Sequence, residues 1–138
     1  MVRSNALRDE FVTSVTAGNL GLVHAVREGL PVDVVDDAVQ AGRLSPAELD
    51  RLALARKTLA HRRTIGRLSA EQSDRFVRVL RVILEAEETF ANREKAHRCL
   101  RRPTTALADN APLDLLDTDV GARRVETLLG RIAHGIAA

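Results

Sequence analysis

Residues 69–90 read SAEQSDRFVRVLRVILEAEETF. Ser69 and Gln72 stand three apart, the spacing at which a hydroxyl and an amide satisfy each other's backbone N–H groups in a capping box. Behind them Phe76, Val79, Leu80, Ile83, Leu84 and Phe90 recur at three- and four-residue steps. That is the period of one helix face, so the stretch predicts a long central helix.

The same punctuation continues on both sides. Asn92 can cap a helix that runs to Leu100 and stops before Pro103. Residues 104–118 mix Asn110, Pro112 and aspartates with leucines, which predicts short turns. Asp117 or Thr118 then caps a last helix in which Val125, Leu128, Leu129 and Ile132 share a face, closed by Gly135. Toward the N-terminus, Ser45-Pro46-Ala47-Glu48 is a second capping box with proline in the first turn, opening a helix over 46–53. A tight connection at Ala53-Leu54 and a further helix over 55–63 complete a helix-turn-helix candidate. Earlier still, Pro31 is placed as a first helical residue ahead of Val34, Val35, Ala38 and Val39, and Asn19 caps a helix through Arg27 that Gly29 ends. Residues 1–18 give no clear pattern. No strand alternation competes, and the fold expected is all-α.

Composition supports this. The 138 residues are 45% hydrophobic but only 2% aromatic, so the core must be built from Leu, Val, Ala and Ile. A net charge of +2 leaves whole-chain electrostatics undecided. The single cysteine, Cys99, excludes an internal disulfide and a Cys-rich metal framework, and is read as a small buried hydrophobe. Arg3, Arg8, Asp9 and Glu10 interrupt any signal-peptide core, and no run approaches about 18 apolar residues. A cytoplasmic protein that does not meet a membrane is expected.

One segment stands out by charge. Residues 51–70 contain no acid but hold Arg51, Arg56, Lys57, His61, Arg62, Arg63 and Arg67. If Leu59 faces the core, steps of about 100° turn Lys57, His61 and Thr64 farthest outward, with Thr58 and Arg62 beside them. Arg56, Lys57, Thr58, His61, Arg62 and Arg63 are therefore the candidate DNA contacts, through phosphates or base edges. A solvated face or a docking patch for an acidic partner is the other reading of such a cluster. Ala53 stands where this motif often has glycine, and Ala55 where a capping serine or threonine would help.

The second half carries a set of separated motifs: Leu68-Ser69-Ala70-Glu71-Gln72-Ser73-Asp74-Arg75, Ala86-Glu87-Glu88-Thr89-Phe90, Ala96-His97-Arg98-Cys99-Leu100-Arg101-Arg102-Pro103, and Pro112-Leu113-Asp114-Leu115-Leu116-Asp117-Thr118. Gly121-Ala122-Arg123 and Val125-Glu126-Thr127-Leu128-Leu129-Gly130-Arg131-Ile132 follow, ending on His134-Gly135-Ile136. In this order they resemble the toxin-binding domain of Xre/MbcA/ParS-type antitoxins, whose partners are RES-domain toxins. The segment 29–67, with Arg56-Lys57-Thr58-Leu59-Ala60-His61-Arg62-Arg63, resembles the Xre-like helix-turn-helix of the same proteins. The resemblance implies an N-terminal extension (1–28), a helix-turn-helix domain (29–67) and a toxin-binding domain (68–138). It also implies a cognate NAD-consuming RES toxin as partner and operator DNA as second partner; a homodimer within the hetero-oligomeric complex is expected, since a two-fold protein matches a palindromic operator and small helical modules often bury apolar faces between copies.

The resemblance places the inhibitory contact on the last helix and tail: Arg131, His134, Gly135, Ile136, Ala137 and Ala138. Physically, Ile136-Ala137-Ala138 is a small apolar plug with a carboxylate at its tip, and a cleft shaped for an anionic dinucleotide supplies cations to receive it. Nothing in the residues points to catalysis, a metal or a cofactor. His97 and Cys99, two apart, face different sides of a helix, and Asp114, Asp117 and Asp119 suit turns and caps. The alternative to the antitoxin reading is a helix-turn-helix repressor whose C-terminal half serves only for dimerisation.

Overall fold

The computed structural model describes residues 5–135. Among them there are eight α-helices and no strand: α1 (Asn5–Ala17), α2 (Leu20–Glu28), α3 (Asp33–Gln40), α4 (Pro46–Leu52), α5 (Arg56–Ile65), α6 (Ala70–Phe90), α7 (Arg93–Leu100) and α8 (Asp119–Ala133). Two 3-10 turns, Thr105–Leu107 and Pro112–Leu115, lie between α7 and α8. The chain divides into two compact units, Met1–Leu80 and Arg81–Ala138, with the division falling inside α6.

The helix ends follow the capping residues. Asn19 accepts from the Leu22 N–H at 2.9 Å, Asn92 from Lys95 at 2.9 Å and Thr118 from Gly121 at 3.0 Å. Both capping boxes are closed: the Ser45 and Glu48 pair at 2.9 and 3.1 Å, and the Ser69 and Gln72 pair at 2.9 and 3.1 Å. Such caps remove orphan donors at each helix start, each stabilising by about 1 kcal/mol.

Two elements differ from the sequence reading. Residues 5–17, which give no clear sequence pattern, form a helix; Val15 alone on α1 is fully buried among the described side chains. Pro31 is not a first helical residue. It forms an antiparallel bridge with Arg67, flanked by Leu68 N–H to Leu30 carbonyl at 2.9 Å and Val32 N–H to Gly66 carbonyl at 3.1 Å. That pairing keeps Pro31 extended, and α3 begins only at Asp33.

The core of the first unit gathers Leu30, Val35, Leu44, Leu54, Leu68, Phe76 and Leu80. Among its described residues the one fully buried polar side chain, Ser73, accepts from the Leu30 N–H at 2.8 Å, so the polar group is satisfied where water is excluded. Gly29 makes this approach possible: its φ is +91°, and a Cβ there would strike the Leu68 carbonyl. The second unit packs Ile83, Ala86, Leu100, Leu113, Leu116, Val125 and Leu129. Here Gly121, in the first turn of α8, lets the Leu115 carbonyl lie where a Cβ would stand.

Candidate functional site

Within the first unit, α4 and α5 are joined by Ala53, Leu54 and Ala55. Ala53 adopts φ −133°, outside the left-handed region that favours glycine. Leu54 is buried and anchors the turn, with its N–H on the Leu49 carbonyl at 2.9 Å. Ala55 provides no side-chain cap, yet α5 is capped. The Asp50 carboxylate, six residues upstream, accepts from the Arg56 N–H at 2.7 Å. A carboxylate at a helix N-terminus also complements the helix dipole. Local cap patterns do not reach six residues, so the sequence pattern gives no sign of it.

The structure distributes the basic residues of α5 unevenly. Arg56, Lys57 and His61 are exposed, and Thr58 and Arg62 are half-buried. Arg63 is exposed but tied to Asp36 of α3 at 2.8 Å. The Arg62 Nε is enclosed without a hydrogen-bond partner. Arg67 donates to the Gly29 carbonyl at 2.7 Å. Leu59 is only half-buried and lines a groove of about 410 Å³ with Val39, Pro46, Leu49, Leu54 and Ala60, so α5 places no side chain fully in the core.

In the second unit, α8 buries Ala122, Val125, Leu128 and Leu129 and turns Arg124, Thr127 and Arg131 outward. His134 is the C-cap, exposed, its N–H on the Gly130 carbonyl at 3.1 Å. Gly135 follows at φ +73°, a left-handed turn. Ile136, Ala137 and Ala138 lie outside the described residues. The basic cluster of α5 and the end of α8 thus belong to different compact units.

Two features of the second unit are not legible in the sequence. Glu87 Oε2 meets His97 Nε2 at 2.7 Å, and Arg101 donates to His97 Nδ1 at 3.0 Å. A proton on Nε2 and a lone pair on Nδ1 satisfy both contacts, so the imidazole bridges α6 and α7. Cys99 is not a fully buried hydrophobe: it is half-exposed and lines an apolar pocket of about 200 Å³ with Phe90, Pro103, Pro112, Leu128 and Ile132. Next to the Arg81–Glu126 ion pair (2.9 Å), burial holds the Glu85 carboxyl above the usual carboxylate range. The Glu126 charge adds to the rise while Arg81 opposes it. Among the described residues no group of three His, Cys, Asp or Glu is placed to hold a metal ion. None of their helices is long and apolar enough to cross a membrane.

Comparison with known proteins matches these two regions to two domains. Residues 21–81 match the antitoxin Xre-like helix-turn-helix domain, and residues 85–135 match the antitoxin Xre/MbcA/ParS C-terminal toxin-binding domain. A helix-turn-helix followed by a toxin-binding domain defines a two-domain antitoxin. The chain is 32% identical to an antitoxin Xre of Yersinia enterocolitica over 97% of its own length and 92% of that protein. It is 34% identical to an antitoxin Xre of Photorhabdus laumondii over 80% of the chain and 77% of that protein. A Pseudomonas putida antitoxin Xre matches at 27% over 80% and 69%. The chain belongs to the Xre antitoxin family.

Proposed function

We propose that this antitoxin neutralises a RES-domain, NAD-consuming toxin and represses its own operon. It acts by binding rather than turnover, as a homodimer within a cytoplasmic toxin–antitoxin complex. The observation that carries the reading is the toxin-binding-domain match over 85–135, which ends where α8 gives way to the Gly135 turn and the tail. In this reading Arg131, His134 and Gly135 lead Ile136, Ala137 and Ala138 into the toxin's active-site cleft.

The test is co-expression with the protein encoded by the reading frame beside this chain's gene, scored for RES-type NAD consumption. The intact antitoxin preserves cellular NAD and growth, whereas a chain ending at Gly135, or Arg131→Glu, fails to protect while still binding operator DNA. Full protection by both variants sinks the assignment of the tail.

For DNA, the supporting observations are the exposed Arg56, Lys57 and His61 on the second helix of the helix-turn-helix, with Thr58, Arg62 and Arg63 beside them. Replacing Lys57 and Arg62 with alanine is expected to weaken operator binding and lower its salt dependence by about one to two counterions. Unchanged binding would move the DNA contact to another surface.

A further inference from the structure

Along α8, residues Val120, Arg124, Thr127, Arg131 and His134 fall at steps of four, three, four and three. At about 100° per residue they fill a stripe about 80° wide. The stripe is outward-facing throughout: all five residues are exposed, Val120 at 72%. It contains no acid. The two acids of α8 are engaged elsewhere, Asp119 with Arg123 at 2.9 Å and Glu126 with Arg81 at 2.9 Å. Arg124 and Arg131 have no acidic partner among the described residues.

Two turns apart, these guanidinium stems are separated by about 10 Å along the axis. Between them lies a notch of about 90 Å³, lined by Ala106, Leu107, Leu128 and Thr127 together with both arginines. Leu107 and Leu128, nearly buried, close it from below, and the surface it presents is mostly polar. The volume is that of about three water molecules, the size of a carboxylate on one or two methylenes.

We propose that this stripe is a docking surface for an acidic segment of the partner toxin, with an Asp or Glu side chain seated in the notch between Arg124 and Arg131. The inference rests on the antitoxin reading and deepens it by stating the partner's chemistry and adding Arg124, Thr127 and Val120 to the surface. Arginine suits this role because its planar fork binds carboxylates in bidentate fashion. The exposed Val120, one turn from Arg124, offers an apolar contact to a protein segment that a bare nucleic-acid phosphate would leave unused.

The experiment uses the full chain and the toxin that passes the co-expression test above, with affinity measured by calorimetry at low and at high salt. Arg124→Glu/Arg131→Glu is expected to weaken toxin binding about 100-fold and to flatten its salt dependence. Arg75→Glu/Arg98→Glu carries the same charge change at two other exposed arginines and is expected to leave affinity within about threefold. Thermal unfolding by circular dichroism verifies the fold of each variant, and Arg124→Gln/Arg131→Gln replaces the reversal should it not fold. Toxin binding by the stripe variant equal to that of the unchanged chain overturns the inference and leaves the antitoxin reading standing. Loss of operator binding with toxin binding intact also overturns it, and assigns the stripe to nucleic acid. Failure of the unchanged chain to bind the toxin overturns both.

Discussion

α5 and α8 both present arginines to solvent, but they are built in opposite ways. α8 drives Val125, Leu128 and Leu129 into a core while leaving Arg124 and Arg131 without described acidic partners. α5 buries no side chain fully, and its charges are partly answered from within the unit: Asp36 takes Arg63, and Asp50 takes the N-terminus. One helix is held by its inner face and has a free outer one. The other is held by its ends and a single ion pair, so less of its stability comes from apolar burial.

The contrast makes its largest prediction in the core. Leu129→Ala is expected to destabilise the chain by about 3 kcal/mol, and Leu59→Ala by about 1 kcal/mol or less, because Leu59 is only half-buried over an open groove. Chemical denaturation of the two variants measures this, and equal losses would break the comparison. The glycines at the helix ends sharpen it next. Gly121→Ala pushes a methyl against the Leu115 carbonyl at the start of α8 and is expected to cost about 2 kcal/mol. Gly66→Ala, at the end of α5, meets open space and carries only the strain of φ +88°, about 1 kcal/mol.

Asp50→Ala comes third. Losing the cap on α5 is expected to cost about 1 kcal/mol in thermal unfolding. It also removes a negative charge from the basic face, so non-specific DNA affinity, read by fluorescence anisotropy, should rise. The smallest effect belongs to Glu85. Its raised native pKa means that the folded state holds the proton more tightly than the unfolded state. Stability therefore falls as pH climbs from the ordinary carboxylate range through the raised value. Glu85→Gln is expected to raise the melting temperature at neutral pH by about 1 °C, the small size reflecting solvent screening of a half-exposed group. The gain should vanish in acid, where the unchanged side chain is protonated.

The same effects separate what the order of residues reveals by itself from what only folding brings together. Helix starts are legible wherever a capping side chain and the N–H it accepts from lie within three residues, as at Asn19, Ser45, Ser69, Asn92 and Thr118. The all-α fold and the central helix follow from such local rules. What escapes them depends on partners distant in sequence: the bridge that removes Pro31 from α3, the Asp50 cap, the Glu87–His97 pair and the exposure of Cys99. For the candidate site, the run of basic residues on α5 is readable in the sequence, but its partial neutralisation by Asp36 is not. On α8, the sequence points to Arg131 and passes over Arg124, because an exposed stripe shows only once the buried one has been located.

The pairing of residues 30–32 with residues 66–68 has one more consequence. The segment between them leaves and rejoins the rest of the chain at a single point, as a loop drawn closed at its neck. A segment with its ends side by side can be exchanged whole among homologues without lengthening or shortening the path on either side.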